Sequence, residues 1–157
     1  METLEPIVSA LPLFKGLKPE HIQIITRCAA NAHYEAGTFL GRSGGEADRF
    51  WIIRQGRVAL QIHAAGRGPL TVQTLGDDEV VGWSWLVPPH QLRFDIHAVT
   101  STRVLAVDGK ALRARFASDP ELGFELLQRF SQVILRRLDA ISIQLLDLYG
   151  DFEGGHE

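Results

Sequence analysis

At 157 residues, 45% hydrophobic and 22% charged, the chain has the make-up of one globular domain with a single substantial core. Its net charge of −3, with 13 arginines and three lysines (Lys15, Lys18, Lys110) scattered along it, offers no bulk attraction to nucleic acid. The lone cysteine, Cys28, excludes an intramolecular disulfide, a cysteine-based zinc site and a cysteine-ligated iron–sulfur cluster held by this chain alone.

In chain order, Pro19 is tolerated near a first helical turn, and Ile22, Ile25 and Ala29 recur at helical spacing, which predicts an amphipathic helix over 19–31. Cys28 falls in its apolar run and reads as a small buried hydrophobe. From Phe39 to Leu86, short apolar runs alternate with turns. The runs are Phe50-Trp51-Ile52-Ile53, Val58-Ala59-Leu60-Gln61-Ile62 and Leu70-Thr71-Val72-Gln73. The turns are Gly44-Gly45, Gln55-Gly56, Gly66-Arg67-Gly68, Leu75-Gly76-Asp77-Asp78 and Gly82. Strands at such spacing predict an all-β sandwich or barrel. Tyr34 to Leu40 reads as strand, turn, strand, and Ile96–Val99 with Val104–Val107 would complete the roll.

Asp108 to Phe116 predicts a short helix. A longer one starts at Asp119-Pro120, where Asp caps free N–H groups and Pro suits the first position. Leu127, Phe130, Ile134, Leu138, Ile141, Leu145 and Leu148 then follow at steps of three and four. From Pro120 to Leu148 such a helix would extend roughly 43 Å, longer than a small roll needs. It either packs on its own domain or pairs, through Ile134, Leu138, Ile141, Leu145 and Leu148, with the same helix of a second copy. A polar tail is expected over 151–157.

The order Phe39-Leu40-x-x-x-Gly44-Gly45-x-Ala47-Asp48-x-Phe50-Trp51-Ile52-Ile53-x-x-Gly56-x-Val58, then Leu75-Gly76-x-x-Glu79-Val80-Val81-Gly82, resembles the cyclic-nucleotide-binding domain family, as does Leu13-Phe14-x-Gly16-Leu17. The resemblance covers about residues 10 to 148. It implies a mainly β jelly roll with an N-terminal helical lead and a long C-terminal helix: one domain over 1–150, with the roll at about 33–107 and the helix at about 119–149. It also implies a regulatory module, not an enzyme, that binds a cyclic nucleotide or related small anion and forms a homodimer through the long helix. The family's transcription factors carry a helix-turn-helix after this helix. With the chain read here ending at Glu157, a free-standing module without direct DNA binding is expected.

The resemblance also points to a ligand cassette, Gly82-Trp83-Ser84-Trp85 through Arg93-Phe94. Family members use a Gly-Glu pair and an arginine nine or ten residues later, for the ribose hydroxyl and the phosphate respectively. Here Gly82 matches, Trp83 stands in place of the Glu, and Arg93 lies ten residues beyond it. An indole has no acceptor to replace the carboxylate. Arg93 is either an anion anchor or a strand arginine paired with Asp95 or solvated. Trp83 and Trp85 either pack as core and pocket wall or stack on a ligand ring. Alternatively the domain binds no nucleotide and serves as a dimeric interaction scaffold.

The histidines (His63, His90 and His97 in the roll) show no His-x-His pair of a metal-binding cupin, and no nucleophile elbow occurs, so neither metal nor cofactor is expected. No export leader and no apolar stretch near ~18 residues is found, so a cytoplasmic protein away from membranes is expected.

Overall fold

The computed structural model describes residues 3–154. Eight strands, β1 (Ala29–Tyr34), β2 (Phe39–Gly41), β3 (Arg49–Gln55), β4 (Val58–Ala64), β5 (Gly68–Leu75), β6 (Val80–Val81), β7 (Asp95–Ala98) and β8 (Thr102–Asp108), pair antiparallel. They form two four-stranded sheets, ordered β1-β8-β3-β6 and β2-β7-β4-β5. The fold is a jelly roll with flanking helices. The chain changes sheets between β3 and β4 at Gly56, whose φ is +125°, and a Cβ there would meet Thr102 Oγ1 at 2.7 Å. Only glycine fits that corner.

The continuous apolar run of β3 follows from burial on both faces. Phe50 and Ile52 point into a core shared with the helices, whereas Trp51 and Ile53 point into a second core between the sheets. Four helices cover the first core: α1 (Glu5–Ala10), α2 (Pro19–Arg27), α3 (Gly109–Arg115) and α4 (Pro120–Gly154). Helix α2 is shorter than the spacing predicts. It ends at Arg27, with Cys28 as its C-cap, and Ala29 to Tyr34 pair with β8 instead. Ladder hydrogen bonds to β8 outweigh the helical preference of Ala-Ala-Asn-Ala, because tertiary pairing overrides a local propensity of roughly a few tenths of a kcal/mol per residue.

Helices α3 and α4 start where the sequence says. Asp108 Oδ1 accepts from Ala111 N at 3.0 Å, and Asp119 Oδ1 accepts from Leu122 N at 3.1 Å. The buried face of α4 carries Leu122, Leu126, Phe130, Val133 and Arg137. The outer seam therefore does not include Phe130, which belongs to the core, whereas Leu127 is 52% exposed. Beyond Ile141 every side chain of α4 through Gly150 is exposed. The helix also runs past the predicted stop at Gly150 to Gly154; an exposed glycine costs roughly 1 kcal/mol of helix propensity without ending the hydrogen-bond ladder. The rest of the expected tail, 155–157, lies outside the described residues.

An aromatic cluster joins the roll to α4. Phe50 stacks on Trp85 at 5.0 Å, and Phe130 meets both edge-on, at 5.0 Å and 5.3 Å. Phe130 is fully buried. Phe130→Ala should destabilise the domain by about 3–5 kcal/mol, read as a lower midpoint in urea unfolding; a loss below 1 kcal/mol would show that the cluster does not anchor the helix.

Candidate functional site

The residues of the sequence-predicted cassette occupy the segment between β6 and β7. Gly82, at φ +91°, turns the chain out of β6 into a 3-10 turn, Ser84–Leu86. The N–H groups that open such a turn have no acceptor within it. Arg113 of α3 holds the far end of the turn through hydrogen bonds from Nη1 to the carbonyls of Trp85 and Ala47. The returning segment, residues 91–95, zips onto the loop before β3. Gly44 N donates to Leu92 O at 2.8 Å, Leu92 N donates to Gly45 O at 2.9 Å, and Glu46 bridges Gln91. Arg93 is thus set on a backbone fixed from both sides.

Asp95 secures the end of that segment and is itself buried. Its Oδ1 accepts from Ser43 N at 2.8 Å and from Arg42 Nε at 3.3 Å, and His63 Nε2 lies 2.8 Å from Oδ2. The pairing of Arg93 with Asp95 weighed above is therefore not made: Asp95 is committed to Arg42, His63 and Ser43. Among the described residues no carboxylate lies within salt-bridge distance of Arg93, whose side chain is exposed.

A pocket lies between this segment and α4, lined by Gly82, Trp83, Ser84, Arg93, Phe94 and Arg137 over a floor of Leu60, Leu92 and Ile96. Five of the six sequence-predicted ligand residues meet here. Trp85 does not: it is fully buried in the helix-side core, with Gly109 so close beneath it that a Cβ would lie 2.9 Å from the ring. Its role is to hold the cassette, not to wall the pocket. Glu79 is also elsewhere, its Oε2 accepting from Gly76 N at 2.6 Å in the turn before β6. The pocket holds about 30 Å³, space for two or three waters at roughly 10–15 Å³ each.

Arg137 of α4 is not among the ligand residues that the sequence pattern singles out, yet it lines the pocket. It is 7% exposed, its guanidinium lies over the Trp83 ring at 4.9 Å, and its Nη1 is buried with no hydrogen-bond partner. Burial pulls its pKa down to about 10, only partly countered by the Glu79 charge. A buried cation with no direct ion pair loses several kcal/mol of hydration, and stacking on an indole returns roughly 0.5–2 kcal/mol. The steps Leu122, Leu126, Phe130, Val133 continue to Arg137 at helical spacing, so the signal was present in the sequence.

A model of the family described as "Cyclic nucleotide-binding domain" matches residues 31–119. The chain belongs to the cyclic nucleotide-binding domain family. The CRP-like cAMP-activated global transcriptional regulator of Mycobacterium tuberculosis is 25% identical over 145 residues, 92% of this chain and 63% of that protein. The chain thus spans under two thirds of the length of that relative. Among solved structures, a Geobacter metallireducens protein provisionally named as cyclic nucleotide-binding superposes with TM-score 0.78 at 22% identity, over 88% of this chain and 99% of that one. The regulatory subunit of a cAMP-independent protein kinase A from Trypanosoma brucei superposes with TM-score 0.66 at 20% identity, over 83% of this chain and 46% of that one. Two of these three, the transcriptional regulator and the kinase regulatory subunit, are regulators by name. Among the described residues of this cyclic nucleotide-binding domain no helix is long and apolar enough to cross a membrane, and no three His, Cys, Asp or Glu side chains gather as a metal site.

Asp95 makes the cassette pH-sensitive. The Ser43 N–H first, then the Arg42 charge and the hydrogen bonds from Arg42 and His63, hold its carboxyl below the ordinary range, against burial, which pushes it up. The unfolded carboxyl binds a proton more readily than the folded one. Its stabilisation is therefore present above about pH 3.9 and lost as pH falls through the lower folded value. Asp95→Asn should cost about 1–3 kcal/mol at pH 7, with the gap to the unaltered protein shrinking as urea unfolding is repeated towards pH 3. A gap independent of pH would assign the loss to packing.

Proposed function

We propose that this domain is a regulatory module that binds a nucleotide-like anionic ligand in its altered cassette and signals through α4. The observation that carries the reading is Arg93, a guanidinium held at the pocket mouth on a fixed backbone while the neighbouring carboxylate, Asp95, is taken by other partners. Its fork suits two oxygens of one anion, and the N–H groups opening the 3-10 turn add backbone donors. Gly82, Ser84 and Phe94 line the same pocket. The names of the relatives support a regulatory role and leave the ligand open, one being cAMP-activated and another cAMP-independent.

Signal output would pass into a second copy. Leu138, Leu145 and Leu148 are exposed at 50–58%, and Ile134 and Ile141 are half-buried. They recur at steps of four, three, four and three, the repeat of a two-helix seam. Leu135, Ile143, Leu146 and Tyr149 widen the exposed apolar surface, more than a solitary helix leaves wet.

The second reading, a dimeric scaffold that binds no nucleotide, is favoured by one feature: with Trp83 lying on Arg137, the pocket holds only about 30 Å³. A thermal-unfolding screen against cyclic AMP, cyclic GMP, cyclic dinucleotides and linear nucleotides separates the two. A ligand at 100 times its dissociation constant adds roughly 2.7 kcal/mol, a rise of about 5–10 °C for a domain of this size. The shift should weaken at least tenfold in apparent affinity in Arg93→Ala, and no response to any nucleotide at millimolar concentration would support the scaffold. Light scattering on Ile141→Asp should give half the mass of the unaltered protein; an unchanged mass would place the contact elsewhere.

A further inference from the structure

We propose that the pocket selects a planar anion without reading a sugar: the ligand's ring takes the place of the Trp83 indole, and its charge pairs with Arg137 from the helix side. The inference rests on the reading of this pocket as an anion site and names its ligand class. Three observations carry it. First, Arg137 is more than nine-tenths buried, lines the pocket and has a buried Nη1 with no acceptor. An anion is the group that such a position lacks. Second, the lining offers no carboxylate, amide or imidazole, so Ser84 Oγ is its one side-chain acceptor. A ribose hydroxyl brought inside would find a neutral partner at best, a weaker bond than one to a carboxylate. Third, the space is limited. The closed pocket takes only a few waters, so a ligand needs Trp83, which packs against the helix-side core, to swing away. That movement would free the volume of one flat ring beside the pocket floor of Leu60, Leu92 and Ile96.

The exchange is balanced by charge. In the closed state the Arg137 guanidinium lies over the face of the Trp83 ring, 4.9 Å away, and feels the Glu79 charge without a carboxylate at salt-bridge distance among the described residues. A direct ion pair is a stronger partner for it than an indole. Arg93 at the mouth would meet the same anion or shield it from solvent. Arg137 sits at the last buried position of α4 among the described residues, just before the helix leaves the roll. Occupancy is therefore felt where the apolar seam begins.

The test uses the full chain with defined probes: cyclic AMP, its 2′-deoxy analogue, phenyl phosphate, benzoate and indole-3-carboxylate, followed by melting midpoint and by tryptophan fluorescence. The sugar-free anions should raise the midpoint, and cyclic AMP and its 2′-deoxy analogue should bind within about threefold of each other. The fluorescence change on binding should vanish in Trp83→Phe. Arg137→Gln should weaken the sugar-free anions at least tenfold while its own unliganded midpoint stays level or rises, because a buried unpaired charge has been removed. If Arg137→Gln does not fold, Arg137→Lys, which keeps charge but loses the fork, must weaken the same anions at least threefold; unchanged affinity overturns the role of Arg137. A response confined to ribonucleotides with a free 2′-hydroxyl overturns this inference and leaves the sensor reading standing. Silence towards every anion overturns both.

Discussion

Trp85 is the point on which the rest of this domain turns. It belongs by sequence to the cassette, yet its ring lies in the helix-side core, stacked on Phe50 of β3 and edge-on to Phe130 of α4. Each such aromatic pair contributes roughly 0.5–1.5 kcal/mol beyond its buried area. Gly109 at the start of α3 leaves the room that the ring needs. One side chain thus ties roll, cassette and C-terminal helix into a single packed unit. Arg113 completes the attachment by holding the carbonyl of the same residue.

That attachment leaves the cassette two kinds of side chain at successive odd positions. Trp85 faces inward and is immobile by packing. Trp83, two residues earlier, is half-buried on the pocket side with the Arg137 guanidinium over its ring. The polar residues around it divide in the same way. Asp95 is paired with Arg42, His63 and the Ser43 N–H, whereas Arg93 and Arg137 have no carboxylate within salt-bridge distance among the described residues, and Arg137 feels the Glu79 charge only at longer range. On the reading proposed above, Arg137 is the one buried cation of the pocket among the described residues, and a ligand would supply its missing partner.

Helix α4 is where a signal would have to leave. Through Val133 it is a core helix, with Leu122, Leu126 and Phe130 facing the roll, and Arg137 is its last buried residue among those described. Beyond Ile141 it carries exposed leucines and an isoleucine that the domain itself does not cover. The change from buried to exposed face falls within one turn of the residue that lines the pocket, so movement at the pocket and movement of the free helix are mechanically adjacent.

Much of the fold was legible in the residues. The glycine-marked strands of the roll, the caps Asp108 and Asp119, and the long helix after Pro120 all follow from local chemistry, because turns and helix starts are decided by residues within a few positions of one another. The cassette from Gly82 to Arg93 is an expectation of the family resemblance, and its residues lie between β6 and β7. Three features were not legible because each depends on distant parts of the chain. Ala29 to Tyr34 became a strand only because β8 lies alongside. Asp95 paired with Arg42, His63 and Ser43 instead of Arg93 because the loop before β3 folds against it. Trp83 and Trp85 look alike in sequence, and only the packing of α3 and α4 decides that one is core and the other a pocket wall. Local sequence determined which elements form; the assembly of sheet, loop and helix decided which charges were left unpaired, because pairing depends on distances that no single segment sets.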